Sequence, residues 1–284
     1  MTVAFALALA VEILAEAEVA EPRKEASSLL AFVLQKDTAF LIAHSDDALA
    51  ANHKILFESC VRRRAKREPF QYITRRQEFY SLEFEITPDV LIPRPETEIL
   101  VEQAVKILSQ LESPRFCEIG IGSGCISVAI LRTVASATAV GTDISDKALT
   151  VALANAGKHN AHERLELRQT DVFTGMTGTF DLIVSNPPYV PRGQLDSLQA
   201  EVRDYEPRPA LGGGVDGLEI IKRIITESPQ FLKPRGALLL EIGFDQAAKV
   251  SELFDANAWK TPEFLPDLQG IPRIVKARRA SSDQ

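Results

Sequence analysis

Arg115-Phe116-Cys117-Glu118-Ile119-Gly120-Ile121-Gly122-Ser123-Gly124-Cys125-Ile126 carries three glycines at alternate positions behind an acidic residue. A short apolar run enters it, glycines at alternate positions turn the chain, and Ser127-Val128-Ala129-Ile130-Leu131 leaves it with apolar residues at helical spacing. This is a strand, a tight turn and a helix. The first N–H groups of such a helix have no partner within it and face whatever lies above, which favours a ligand with an anionic end. Further along, the apolar stretch Thr138-Ala139-Val140-Gly141-Thr142 ends in Asp143. A doubly wound α/β fold places there the carboxylate that accepts hydrogen bonds from a ribose diol. A dinucleotide site would use the same parts, but its fingerprint needs a third glycine three residues after the second, and here that position is Cys125.

Outward from the loop, strands alternate with helices: strands 115–119, 138–142, 164–169, 180–185 and 236–242, helices 124–135, 146–158, 216–228 and 245–256, and tail strands near 260–264 and 272–278. That order predicts a mainly parallel sheet. Thr170-Asp171-Val172-Phe173 falls at the end of the third strand, where Asp171 reads equally as a ligand contact or a strand-end turn residue. Upstream, residues 1–75 contain no glycine and read as short helices over 3–17, 22–35, 37–43, 46–66 and 69–73. Leu7, Val11 and Leu14 form the inward stripe of the first helix, and Leu49, Ile55, Leu56 and Val61 that of the fourth. Gln77 to Ile86 alternates apolar and polar residues as a strand or hairpin does, and Pro95 with Glu96 and Glu98 opens a helix over 96–110. The expected division is therefore a helical domain over 1–75, a hairpin linker over 76–93 and an α/β domain over 94–284.

Phe180-Asp181-Leu182-Ile183-Val184-Ser185 runs into Asn186-Pro187-Pro188-Tyr189. Neither proline ring nitrogen carries a donor, and each ring fixes φ near about −65°, so the strand stops and the loop is stiff. It presents a side-chain amide, backbone carbonyls and an aromatic ring at the carboxyl edge of the sheet. A flat, conjugated NH2 group suits that corner, since carbonyls accept its two hydrogens and a ring packs on its face. Adenine and a glutamine side chain both carry such a group. From Val190 to Val215 no period is visible, and Glu206-Pro207-Arg208-Pro209-Ala210-Leu211 is followed by three consecutive glycines. This segment reads as a lid over the proline corner. Within it Asp196, Glu201 and Arg203 read as solvating charges and Arg208 as a candidate substrate contact.

The 284 residues, 45% hydrophobic and 25% charged, suit an ordinary globular protein with two domains. A net charge of −7 argues against a large nucleic-acid footprint, and the basic run Arg62-Arg63-Arg64-Ala65-Lys66-Arg67 reads first as a solvated helix end. Cys60, Cys117 and Cys125 have no metal spacing and read as reduced core thiols of a cytoplasmic protein. The four histidines build no cluster, so no metal is expected. Glu12, Glu16 and Glu18 interrupt the apolar N-terminus, which reads as a helix rather than a signal peptide, and no run approaches the roughly 20 apolar residues of a membrane span.

The spacing Glu-x-Gly-x-Gly-x-Gly from Glu118 to Gly124 resembles the cofactor loop of S-adenosylmethionine-dependent methyltransferases. A carboxylate at Glu118 favours a cationic sulfonium and would oppose a pyrophosphate. Together with Leu91-Ile92-Pro93-Arg94-Pro95-Glu96-Thr97-Glu98, the Asn-Pro-Pro-Tyr corner, Glu206 to Leu211 and Asp267-Leu268-Gln269-Gly270-Ile271-Pro272-Arg273, it makes nearly the whole chain resemble the PrmC/HemK family of protein glutamine methyltransferases. The resemblance implies a class I, Rossmann-like methyltransferase fold. Its seven-stranded, mainly parallel sheet has an antiparallel last strand and follows a helical substrate-docking domain. It implies S-adenosyl-L-methionine as cofactor and, as protein partner and substrate, the Gly-Gly-Gln glutamine of class 1 peptide chain release factors.

On this reading Glu118, Gly120, Ile121, Gly122, Ser123, Gly124, Asp143, Asp171, Val172 and Asn186 form the cofactor site. Asn186 and Pro187 are catalytic, and Asn186, Pro187, Pro188 and Tyr189 bind substrate. The chain departs from the family pattern at Arg75, where a glycine is usual, and at Val172, where an aromatic residue is frequent. The competing readings are an amino methyltransferase acting on adenine or guanine of RNA or DNA, which would need a base-flipping pocket and a basic groove, and a non-enzymatic docking module.

Overall fold

The computed structural model describes residues 1–280. Its first helices are α1 (Val3–Glu16), α2 (Pro22–Leu34), α3 (Thr38–Ala43), α4 (Ala51–Ala65) and α5 (Phe70–Thr74), followed by a hairpin of β1 (Arg76–Phe79) and β2 (Leu82–Glu85). Then come α6 (Thr97–Leu108), β3 (Arg115–Ile119), α7 (Cys125–Thr133), β4 (Thr138–Asp143), α8 (Asp146–Lys158), β5 (Leu165–Gln169) and β6 (Phe180–Ser185). The remainder is α9 (Ala200–Tyr205), α10 (Arg208–Leu211), α11 (Glu219–Phe231), β7 (Leu232–Glu241), α12 (Ala247–Ser251), β8 (Glu263–Pro266) and β9 (Pro272–Arg278).

The chain divides into two compact units. The first is Met1–Arg76 together with Gln199–Tyr205; the second is Gln77–Leu198 with the residues from Glu206 onward. In the first unit the Thr2 hydroxyl caps α1 by accepting from Phe5 N, and Pro22 opens α2, where its missing donor costs nothing. Leu14, Leu29, Leu30, Phe57 and Val61 are buried in one cluster.

The expected helix faces hold in part, since Leu14 and Val61 are buried and Leu7, Val11 and Leu49 pack against the same cluster. On α1 the most buried residues are Val3, Ala6, Ala10 and Leu14, with Leu7 and Val11 only partly buried beside them. Alanines let α1 approach closely. On α4, which starts at Ala51 rather than 46, Phe57, Cys60, Val61 and Arg64 face inward while Ile55 and Leu56 are exposed. Phe57, Val61 and Arg64 keep the i, i+4, i+7 spacing that the expected set lacks. The basic run is a solvated helix end only in part: Arg62, Arg63 and Lys66 are exposed at the end of α4, whereas Arg64 and Arg67 are not. Arg64 is 6% exposed and binds Glu25 at 3.0 Å and Glu201 at 3.1 Å, and Arg67 binds Glu201 at 2.7 Å. Glu201, expected to solvate a loop, is therefore held by two guanidinium groups.

In the second unit the sheet order is β5-β4-β3-β6-β7-β9-β8. The strands from β5 to β7 are parallel, and β9 runs antiparallel to both β7 and β8. Cys117 pairs with Val140 on one side and Ile183 on the other, so β3 is central and its neighbours end level with it. The order reverses at β3 and β6, the switch point beyond whose carboxyl ends open α/β sheets bind ligands. The expected helix over 245–256 shortens to Ala247–Ser251, because the chain turns at Asp255, whose carboxylate accepts from Asn257 N.

Candidate active site

A cavity of about 440 Å³ opens at the carboxyl edge of the sheet, within the second unit. The turn after β3 forms its floor. Gly120, Gly122 and Gly124 have φ of 73°, 53° and 80°, the left-handed region in which a side chain is strained. The turn is pinned from β4: Ile121 N donates to Thr142 O at 2.8 Å, and Gly122 N donates to Asp143 Oδ2 at 2.9 Å. Ser145 N donates to Asp143 Oδ1 at 2.9 Å. Each carboxylate oxygen thus holds one backbone N–H and keeps acceptor capacity for a further hydroxyl.

Glu118, 1% exposed, lies beneath this turn and lines the cavity. Its Oε2 accepts from Ser127 N at 2.9 Å and from the Ser127 hydroxyl. Its Oε1 is the buried side-chain polar atom left without a hydrogen-bond partner among the described residues. Burial pushes the carboxyl up to about 8; the Ser127 bonds oppose the rise, and the neighbouring Asp143 adds to it. An unpaired buried oxygen of this kind fits a cationic donor, and the amino acid end of S-adenosylmethionine carries one. The residues that would hold such a cofactor are those of the turn, with Glu118 facing cationic groups and Asp143 facing hydroxyls.

Ile121, Ser123, Asp171, Val172, Asn186 and Pro188 also line the cavity. Asp171 is half exposed and its carboxylate accepts from Arg223 at 2.9 and 3.0 Å. Val172 is 5% exposed and has φ of 54°, an outlying conformation for a β-branched residue. Pro187 is buried, and the Tyr189 ring packs against the core rather than lining the cavity. Pro207, Pro209, Ala210 and Gly212 contribute part of the wall. Arg208, expected to contact substrate, is exposed and lies 3.4 Å from Asp196.

Residues beyond the expected set are also drawn together here. Asn155 Nδ2 donates to Ser123 O and Glu85 O, both at 2.9 Å, tying the glycine turn to β2. Ile144, 64% exposed, gives the rim an apolar face. Asn186 Nδ2 donates to Thr97 Oγ1 at 3.2 Å, and the Thr97 hydroxyl donates to Glu241 Oε2 at 2.6 Å. Glu241 did leave a signal in the sequence, as a lone carboxylate closing the apolar run Ala237 to Leu240, the same strand-end position that made Asp143 visible.

The fold and this cavity define a class I S-adenosylmethionine-dependent methyltransferase. Residues 96–201 match the methyltransferase small domain model and residues 6–74 the PrmC N-terminal domain model. A methyltransferase from Pyrococcus furiosus shares the fold with a TM-score of 0.53 and 18% identity, over 77% of this chain and 98% of that one. The release factor glutamine methyltransferase of Koribacter versatilis is 38% identical over 99% of this chain and 100% of its own length. That of Geobacter sulfurreducens is 41% identical over 93% and 92%. The chain belongs to the release factor glutamine methyltransferase family. Among the described residues no helix is long and apolar enough to cross a membrane, and no group of histidine, cysteine or acidic residues is placed to hold a metal.

Proposed function

We infer that this protein transfers a methyl group from S-adenosyl-L-methionine to the side-chain amide nitrogen, N5, of the glutamine in the Gly-Gly-Gln motif of class 1 peptide chain release factors, tuning translation termination in the cytoplasm. The observation that carries the reading is the state of Asn186. Its Nδ2 is engaged by Thr97, and among the described residues none donates to its Oδ1, which leaves an acceptor at the cavity wall. The Pro187 carbonyl, next in the proline-stiffened loop, is assigned as the second acceptor on the strength of the family resemblance.

A primary amide nitrogen is a poor nucleophile because its lone pair is delocalised into the carbonyl. When bound, the cofactor supplies an electrophilic methyl carbon on a positively charged sulfur. Asn186 Oδ1 and the Pro187 carbonyl accept the two N–H bonds of the glutamine, orient its lone pair and stabilise the positive charge that grows on nitrogen. Orientation of this kind supplies up to ~7–11 kcal/mol in favourable intramolecular cases. Fixed acceptors add a few kcal/mol more, by analogy with about 2.7–4 for one oxyanion-hole donor. The amide nitrogen loses its proton after alkylation, when it is acidic, so no strong base is required. Pro188 and Tyr189 stiffen the corner, and Val172 and Asp171 flank the adenine end. The proposed division of labour is that 1–75 docks the substrate, 76–93 links and 94–284 carries the chemistry, apart from 199–205, which pack with the first unit, with no stable nucleic-acid complex.

Labelled methyl transfer to purified release factor, run beside rRNA and DNA, tests the substrate; label in nucleic acid alone would replace this reading with a base methyltransferase. Asn186→Ala should lower kcat by roughly 10²-fold or more, the scale for a lost electrostatic contact to the transition state, while cofactor affinity by calorimetry stays near that of the wild type. A wild-type rate would remove Asn186 from the mechanism.

A further inference from the structure

A carboxamide is nearly symmetric in shape. Rotating the Asn186 side chain by half a turn exchanges its acceptor oxygen for its donor nitrogen with little change in packing. Only one orientation serves a substrate that itself presents N–H donors, because the other sets NH2 against NH2. The loop prolines fix the backbone but not this rotation.

Thr97 and Glu241 supply what the loop lacks. Each is 2% exposed. Thr97 is the first residue of α6, yet its hydroxyl caps no helix N–H and instead lies 2.6 Å from Glu241 Oε2. In its ionised form, which prevails above about pH 7, the Glu241 carboxylate only accepts, so the one hydroxyl proton of Thr97 is committed to it. The Thr97 oxygen can then only accept in its 3.2 Å contact with Asn186, and the atom facing it must be the donor Nδ2. Oδ1 is left for the incoming amide. Glu241 closes β7 after the fully buried Ala237, Leu238, Leu239 and Leu240, and burial raises its carboxyl to about 7 against the pull of Thr97, with Glu96 adding to the rise and Arg273 and Arg94 opposing it. An acid in so apolar a place is costly to the fold, which marks a functional position.

We propose that Thr97 and Glu241 are positioning residues, a buried relay that fixes the amide of Asn186 with its oxygen toward the substrate. This rests on the reading of Asn186 as the acceptor for the substrate amide. Thr97 lines the cavity beside Asn186, and both residues are assigned to act through Asn186 rather than on the reacting atoms.

The test uses the full chain with purified release factor, reading kcat, KM and cofactor affinity separately. Thr97→Val keeps the shape and removes the hydroxyl; kcat should fall roughly 10–100-fold, the cost of losing outer-shell partners in metal sites, with KM and cofactor affinity within about twofold. Thr97→Ser should restore most of the rate. Glu241→Met removes the acceptor and a costly buried carboxyl while leaving the Thr97 hydroxyl without its partner; with folding checked by thermal melt, it should show the same selective loss of kcat. Wild-type kcat in both Thr97→Val and Glu241→Met, with Asn186→Ala inactive, overturns the relay alone. Failure of Thr97→Ser to recover the rate also overturns it. A wild-type rate in Asn186→Ala overturns the reading of Asn186 and the relay with it.

Discussion

Glu118 carries a proton in the free protein at neutral pH, since burial raises its carboxyl from 4.5 to about 8. In the unfolded chain it ionises near the lower value. Between the two the folded state binds more protons, so raising the pH through this window weakens folding; the penalty is absent below about 4.5 and complete above about 8. Glu118→Gln should abolish that penalty, and its stability relative to the wild type should climb across the window in thermal melts at stepped pH. A flat difference would show that the carboxyl titrates normally. A bound cation beside the unpaired Oε1 reverses the preference, because it favours the ionised form. S-adenosylmethionine binding near neutral pH should therefore release a proton, read by calorimetry in buffers of different ionisation enthalpy. Glu241 titrates in the same range, so the diagnostic quantity is the difference between wild type and Glu118→Gln. Equal proton release in both would exclude Glu118 from contact with the cofactor. The acidic residue before the turn was legible from its spacing to the glycines. Its unpaired oxygen was not, since that depends on Ser127 claiming the other one.

At the scale of elements, the corner after β6 is held by the glycines that follow α10. Val190 N donates to Leu211 O at 2.9 Å and Gly213 N donates to Val190 O at 2.9 Å, a short parallel bridge. A Cβ on Gly213 would sit 2.5 Å from Pro188 O and 2.6 Å from Gly217 O, both backbone atoms that cannot swing aside. Gly213→Ala should cost about 1–3 kcal/mol, the usual price of overpacking, and should lower kcat because Pro188 is displaced. Gly193, with nothing within 4 Å of its Cβ position, serves as the control. A melt shifted down with kcat unchanged would show that the corner tolerates movement. The strands and helices around the glycine turn were legible because apolar runs and turn residues mark them locally. The inward faces of α1 and α4 were legible only in part. There the choice between competing stripes is made by partner helices, which admit Ala6, Ala10 and Phe57 and leave Ile55 outside. Arg75 shows the same limit: its φ of 58° at the end of α5 explains why glycine suits that place, and that angle is set by the fold rather than by any local pattern.

For the molecule as a whole, the parallel order of the sheet could be read from the alternation of strands and helices, and the site followed from its switch point. The partition of the chain could not. Residues 199–205 belong to the same compact unit as the N-terminal helices, through pairings between residues far apart in sequence that leave no periodic trace. Glu201 is the centre of that attachment. It accepts from Arg64 at 3.1 Å and from Arg67 at 2.7 and 2.8 Å, while the Tyr205 hydroxyl donates to Lys66 O at 2.6 Å. Although burial works against it, the carboxyl is held below its usual value by Arg67 and Arg64. Arg64 keeps Glu25 as a second partner, so Glu201→Ala does not orphan a buried charge outright. The expected loss is about 1.5–3 kcal/mol, the range for hydrogen bonds to charged groups. It should be accompanied by new protease sensitivity within 199–205, mapped by limited digestion and mass spectrometry. Glu201→Gln retains the shape and should lose less. If Glu201→Ala melts with the wild type and resists digestion, the segment is held by its apolar and backbone contacts, and the charge cluster contributes nothing to its place in the fold.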